Sequence, residues 1–81
     1  MKIIGYYRHG NKEYVLFEEA GKYKLTDGFH DRKVTDRNSG KFAGYQRIKK
    51  SEINVGRIVG RMRQNRPWHP LMRLLRQEAE P

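Results

Sequence analysis

Arginines at helical spacing are the residues of this sequence whose types and positions best suit a defined chemistry. Arg57 and Arg61 are four residues apart, so on a helix one lies above the other. A guanidinium group binds phosphate through two hydrogen bonds and also contacts guanine edges, which suits Arg better than Lys. Arg63, Gln64 and Arg66 extend this pattern along the same segment. The spacing therefore predicts a surface that contacts a polyanion.

The charge of the chain is concentrated in its second half. Residues 41–76 contain ten Lys or Arg and one acidic residue, Glu52, so this segment alone has a net charge of +9, equal to that of the whole chain. A concentrated cationic surface is typical of nucleic-acid contact. The alternatives are an acidic protein partner or a plain solvated surface, although solvated helices usually mix both signs of charge.

Residues next to the arginine segment extend the predicted contact surface. Arg47, Lys49 and Lys50 precede the predicted helix and add candidate phosphate contacts. Tyr45 and Trp68 are adjacent to cations, an arrangement that allows aromatic rings to stack on bases. A small domain more often uses such rings for its core. For Trp68 we favour that second role, as a plug between the C-terminal helices and the sheet.

The histidines do not predict a metal or cofactor site. His9, His30 and His69 are far apart in the sequence, and the chain contains no cysteine. His30, next to Asp31 and followed by basic residues, is the best candidate base for phosphodiester cleavage. No paired carboxylates, nucleophile elbow or phosphate-binding loop accompany it. We therefore predict a non-enzymatic protein without cofactors and keep a small basic ribonuclease as the third alternative.

Alternating apolar residues and turn signals predict a sheet in the first half. Residues 2–8, 13–19 and 22–26 form strands in this interpretation, separated by Gly-containing turns. Val34 belongs to a further short strand, and residues 41–48 form another with a bulge or bend at Gly44.

The second half predicts helices. Ser51 is the expected N-cap of the first, Asn65 and Pro67 end it, and Pro70 starts the second. Two interior glycines weaken the first helix, so a bent strand or loop at residues 53–57 is the competing interpretation. The apolar helix faces are predicted to pack on the sheet through Val55, Ile58, Val59, Met62, Leu71, Leu74 and Leu75.

Together these elements predict an α+β fold in a single domain, residues 1–81. A small curved antiparallel sheet of three to five strands, with an SH3-like partial barrel as one form, is followed by one or two short C-terminal helices. Residues 1–50 are mainly β, residues 51–78 mainly helical and basic, and residues 79–81 a frayed tail. No apolar run reaches the roughly 18–20 residues that cross a bilayer, so we expect a cytoplasmic protein without a membrane partner.

The function expected from these patterns is non-enzymatic nucleic-acid binding by the basic helical segment. The choice between DNA and RNA stays open, as does homodimerisation. The alternative is an inhibitor or adaptor that docks its basic face on an acidic surface of a larger complex. Small size, high pI and lack of cysteine are typical of phage and bacterial proteins of that kind.

Overall fold

The computed structural model describes residues 1–34 and 44–79. Within these residues, five strands form one antiparallel sheet, followed by a short 3₁₀ turn, Lys50–Glu52, and two helices. The α+β fold is therefore confirmed. The elements are β1 (Lys2–His9), β2 (Lys12–Glu19), β3 (Lys22–Thr26), β4 (Asp31–Val34), β5 (Gln46–Ile48), α1 (Val55–Asn65) and α2 (Leu71–Ala79).

The sheet has the order β4-β3-β2-β1-β5. Strands β1 to β4 follow one another as a meander, and β5 pairs with the free side of β1. Among the described strands, β4 and β5 are the edges, so the sheet is open. The register of β1 shifts between Ile3 and Gly5, which is the bulge expected at this glycine.

The two faces of the sheet contribute to different apolar clusters, because successive strand residues point in opposite directions. On the helix-covered face, Val15, Phe17 and Ile48 pack against buried residues of α1 and α2. On the opposite face, Leu16 and Leu25 pack with Tyr7 and other aromatic side chains. The predicted helix residues all belong to the first cluster: Val55, Ile58, Val59, Met62, Leu71 and Leu75 are buried and Leu74 packs against them.

Helix α1 begins three residues later than its predicted N-cap. Ser51 lies inside the 3₁₀ turn, and Asn54 caps the helix by accepting a hydrogen bond from the Arg57 N–H at 3.1 Å. The Asn54 N–H donates to the Glu13 carboxylate of β2 at 3.2 Å, which fixes the start of α1 against the sheet. The prediction of Ser51 as N-cap is wrong, because a second capping residue three positions later makes the actual contacts.

Strand β5 is shorter than the predicted strand 41–48. Residues 41–43 lie outside the described residues, and Gly44 has a φ of +81°, a turn conformation that an extended strand does not contain. Pairing with β1 begins only at Gln46. Of the predicted tail, Ala79 ends α2, and residues 80–81 lie outside the described residues. Neither described helix has the length and apolar content to span a membrane.

Candidate nucleic-acid interface

The exposed face of α1 carries cations that make no ion pair with the described residues. Arg57, Arg63 and Gln64 are exposed, and no hydrogen bond of their side chains occurs within the described part of the chain. Their backbone positions are fixed, because the opposite side of α1 is anchored in the core by Ile58 and Met62. These three side chains therefore form an accessible polar surface on a rigid helix.

Arg61 lies at the edge of this surface and is partly used within the fold. Its Nη1 donates to the carbonyl oxygen of Asp27 at 3.1 Å, and its guanidinium lies 5.3 Å from the centre of the Phe29 ring. A Cβ added at Gly28 would come within 2.8 Å of the Arg61 Cβ, so a glycine is needed where the two segments meet. Arg61 thus joins α1 to the β3–β4 turn.

Arg66 is bound to a carboxylate on the sheet. Its two terminal nitrogens donate to the two oxygens of Asp31 at 2.8 and 2.7 Å, a bidentate ion pair. The Nε2 of His69 lies 2.8 Å from the same carboxylate. We call Asp31, Arg66 and His69 the Asp31 cluster. It connects β4 to the link between α1 and α2, so the charge of Arg66 is already compensated inside the protein.

The protonation state of the Asp31 cluster follows from its hydrogen bonds. Burial opposes ionisation of Asp31, but hydrogen bonds from Arg66, His69 and Thr26 outweigh it and hold the pKa of Asp31 below its usual value of 3.8. The Nδ1 of His69 accepts the Leu71 N–H at 3.1 Å, so Nε2 carries the proton and donates to Asp31. His69 thereby links the carboxylate to the first residue of α2.

Trp68 is the most exposed large apolar side chain of the described residues, with 72% of its surface accessible. The prediction that it plugs the space between helices and sheet is wrong. His69 is buried in its place, with its ring edge-on to Phe17 at 5.8 Å between centroids. The physical reason is the ion pair with Asp31, which directs Arg66 and His69 inward and leaves the residue between them outside.

Two further candidate residues lie on the opposite face of the sheet. Arg47 is paired with Tyr7 across β1 and β5, so it points away from the helices, and its guanidinium occupies the space that Gly5 leaves free. Tyr45 stacks on His9 with 4.4 Å between ring centroids, and its hydroxyl accepts a hydrogen bond from Arg32. The structure therefore separates both residues from the α1 surface.

Lys49 and Lys50 lie where β5 leads into α1, and both are exposed. Glu52, the single acidic residue of the basic segment, accepts a hydrogen bond from the Lys49 N–H at 2.9 Å. Asp27 likewise accepts the N–H groups of Phe29 and His30 at 2.8 and 2.9 Å. Together with Glu13 and Asp31, these carboxylates hold the fold together, whereas several cations point outward.

An open groove lies beside Trp68 on the link between the helices. Its volume is about 670 Å³, and Met72, Arg73 and Arg76 of α2 form its wall opposite the link. We call it the Trp68 groove; it is lined by Pro67, Trp68, His69, Pro70, Met72, Arg73, Arg76 and Gln77. The sequence interpretation selected Trp68 but neither Arg73 nor Arg76, which appeared only as the polar face of a second helix.

The remaining candidates do not form a catalytic or metal constellation with each other. The His30 ring is exposed in the β3–β4 turn and makes no hydrogen bond within the described residues. No group of three His, Asp or Glu side chains suited to a metal ion occurs in residues 1–34 and 44–79. No family model, curated protein or solved structure matched the chain when it was compared with them.

Proposed function

We propose that this protein is a small, non-enzymatic nucleic-acid-binding protein whose basic helical half contacts phosphates. The division of charge supports this proposal. Glu13, Asp27, Asp31 and Glu52 accept hydrogen bonds from the protein itself, whereas Arg57 and Arg63 make no side-chain hydrogen bond or ion pair within the described residues. A net charge of +9 on such a surface attracts a polyanion from a distance.

The contact surface in this proposal runs along α1. Arg57 and Arg63 are the principal phosphate ligands, Lys49 and Lys50 extend the surface at the start of the helix, and Gln64 offers an amide to a base edge. Arg61 can add its remaining donors. Arg66 supports the surface indirectly, because its guanidinium is bound to Asp31.

The test is fluorescence anisotropy with labelled duplex DNA, single-stranded DNA and structured RNA over a range of salt concentrations. Binding should weaken steeply with salt. The double variant Arg57→Ala, Arg63→Ala should bind more weakly and reduce the slope of log K against log salt by about two units, one for each lost phosphate contact. The preferred ligand then decides between duplex, single-strand and A-form recognition.

A charge-matched control separates this surface from general electrostatics. Lys2 and Lys22 are exposed at the end of the sheet away from the contacts of α1 with Glu13, Asp27 and Asp31. The double variant Lys2→Ala, Lys22→Ala removes the same charge and should change the slope much less. Equal slopes for both double variants would exclude α1 as the contact surface, and no binding at low salt would exclude the proposed function.

The alternative is docking on an acidic protein surface, and the exposure of Trp68 beside Met72 favours it, because both residue types are enriched at protein interfaces. That alternative predicts saturable binding to one protein and little affinity for bare nucleic acid. The same anisotropy series, extended to candidate acidic proteins, distinguishes the two functions.

A further inference from the structure

Trp68 is exposed although a buried position would be favourable for so large an apolar side chain. Its ring has 72% accessibility in a domain whose other aromatic rings are mostly packed. Exposed tryptophans in a basic surrounding are a recurrent means of binding unpaired bases, because every base presents a flat π-face. The position of this ring therefore requires a functional explanation.

The link that carries Trp68 is held rigidly. Pro67 and Pro70 fix the backbone φ on either side. Arg66 and His69 are both bound to Asp31, and the Trp68 ring lies 5.6 Å from the Arg66 guanidinium and 6.0 Å from the His69 ring. An aromatic ring that is already positioned loses little conformational entropy when a ligand stacks on it.

The Trp68 groove combines this ring with two cations. Arg73 and Arg76 are exposed on adjacent turns of α2, and no described acidic side chain lines the groove. A volume of about 670 Å³ lies in the usual range for sites that hold one small ligand. An aromatic face, an apolar wall at Met72 and two guanidinium groups are complementary to one nucleotide with its phosphates.

We infer that the Trp68 groove binds an unpaired nucleotide of single-stranded nucleic acid, with the base stacked on Trp68 and phosphates held by Arg73 and Arg76. This inference rests on the proposed function and specifies its ligand. A duplex keeps its bases stacked on each other, so it offers phosphates to the arginines but no free base face to Trp68.

Trp68 is the only tryptophan of the chain, so its fluorescence reports directly on this site. A single-stranded oligothymidylate should quench it, whereas an abasic strand of equal length and charge should quench it much less. Trp68→Ala should weaken oligothymidylate binding about 5- to 150-fold in anisotropy and remove the preference over the abasic strand. Trp68→Phe should retain most of both.

The arginines of the groove require their own variant. Arg73→Ala with Arg76→Ala should weaken both strands and reduce the salt slope by about two units. Lys2→Ala with Lys22→Ala serves again as the control of equal charge. Circular dichroism should show all variants folded, since each substitution is made at an exposed side chain.

The outcomes separate this inference from the function beneath it. If Trp68→Ala binds oligothymidylate as well as the unaltered protein, with a steep salt slope retained, the groove assignment is overturned and nucleic-acid binding stands. Equal quenching by the abasic strand, by duplex DNA or by polyglutamate would also overturn the assignment. If no nucleic acid binds at low salt, both proposals fail.

Discussion

Asp31 is the residue on which the geometry of the helical link depends. It lies on β4, 35 positions before Arg66, and accepts hydrogen bonds from Arg66 and His69, which flank the exposed tryptophan. The Asp31 side chain is only 14% exposed, so its attraction to Arg66 is weakly screened by solvent. We therefore assign Asp31 a positioning role: it holds the link without contacting a ligand in the proposed groove.

Asp31→Asn should lower the free energy of unfolding by about 3 kcal/mol at neutral pH, because it leaves the partly buried Arg66 without a charged partner. The folded-state pKa of Asp31 lies below the unfolded value of 3.8, so the stabilisation is complete above 3.8 and is lost as the pH falls through the folded pKa. The difference between the two proteins should therefore shrink in acid. Urea denaturation at about pH 7 and about pH 2.5 measures it.

Glu19→Gln provides the matched control for that experiment. Glu19 pairs with Lys24 at 3.4 Å in a more exposed setting, so its loss should cost less than about 1 kcal/mol. A cost for Asp31→Asn that is the same at both pH values would contradict the assigned charge of Asp31. A cost no larger than that of the control would contradict its positioning role.

The Asp31 cluster also shows where sequence interpretation stops at the residue scale. Arg66 was assigned to phosphate contact and Trp68 to the core because each was judged from its neighbours in the sequence. Their actual positions depend on a partner on another strand, and hydrogen bonds over 35 and 38 positions leave no local pattern. An acidic residue directly before a basic run, as Asp31 is, was the single visible hint.

At the scale of elements, alternation and turn residues predict the meander closely. Strands β1, β2 and β3 end within one residue of their expected bounds. Helix α1 also exists despite its two glycines, because four apolar residues on one face are buried by the sheet. The short β5 and the later helix start depended on one turn and one cap, which several nearby residues could have supplied.

Gly60 in α1 permits a direct test of how much its packing offsets a weak helix sequence. A Cβ at this position would meet no atom within 4 Å, so Gly60→Ala removes the entropic cost of glycine without a clash. We expect the free energy of unfolding to rise by about 1 kcal/mol. Thermal unfolding should shift upward by about 4–8 °C.

Gly28→Ala is the opposing control. Its φ is +101°, and a Cβ would lie 2.8 Å from the Arg61 Cβ and 3.0 Å from the Ile58 carbonyl oxygen. This variant should destabilise the protein by more than 1 kcal/mol or so, because the clash involves the backbone of α1. If Gly60→Ala also destabilises the domain, helix propensity does not limit its stability.

At the scale of the whole molecule, one charge distribution should affect folding and binding in opposite directions. The molecule measures 29 × 27 × 22 Å and carries a net charge of +9, so at about 0.01 M salt, where the Debye length is about 30 Å, its charges repel one another throughout. Raising the salt to about 0.15 M shortens this length to about 8 Å. Repulsion should weaken, whereas the partly buried Arg66–Asp31 pair is affected less.

The free energy of unfolding should therefore rise with salt by on the order of 1 kcal/mol, while nucleic-acid affinity falls over the same range. Arg57→Glu with Arg63→Glu lowers the net charge from +9 to +5, since each replacement changes it by two. This variant should be more stable than the unaltered protein at low salt, gain less from added salt, and bind nucleic acid weakly. Thermal unfolding and anisotropy in the same buffers measure both quantities. A melting temperature that falls as salt is added would mean that attractive charge pairs outweigh repulsion, and the α1 surface would then be electrostatically compensated, not free for a polyanion.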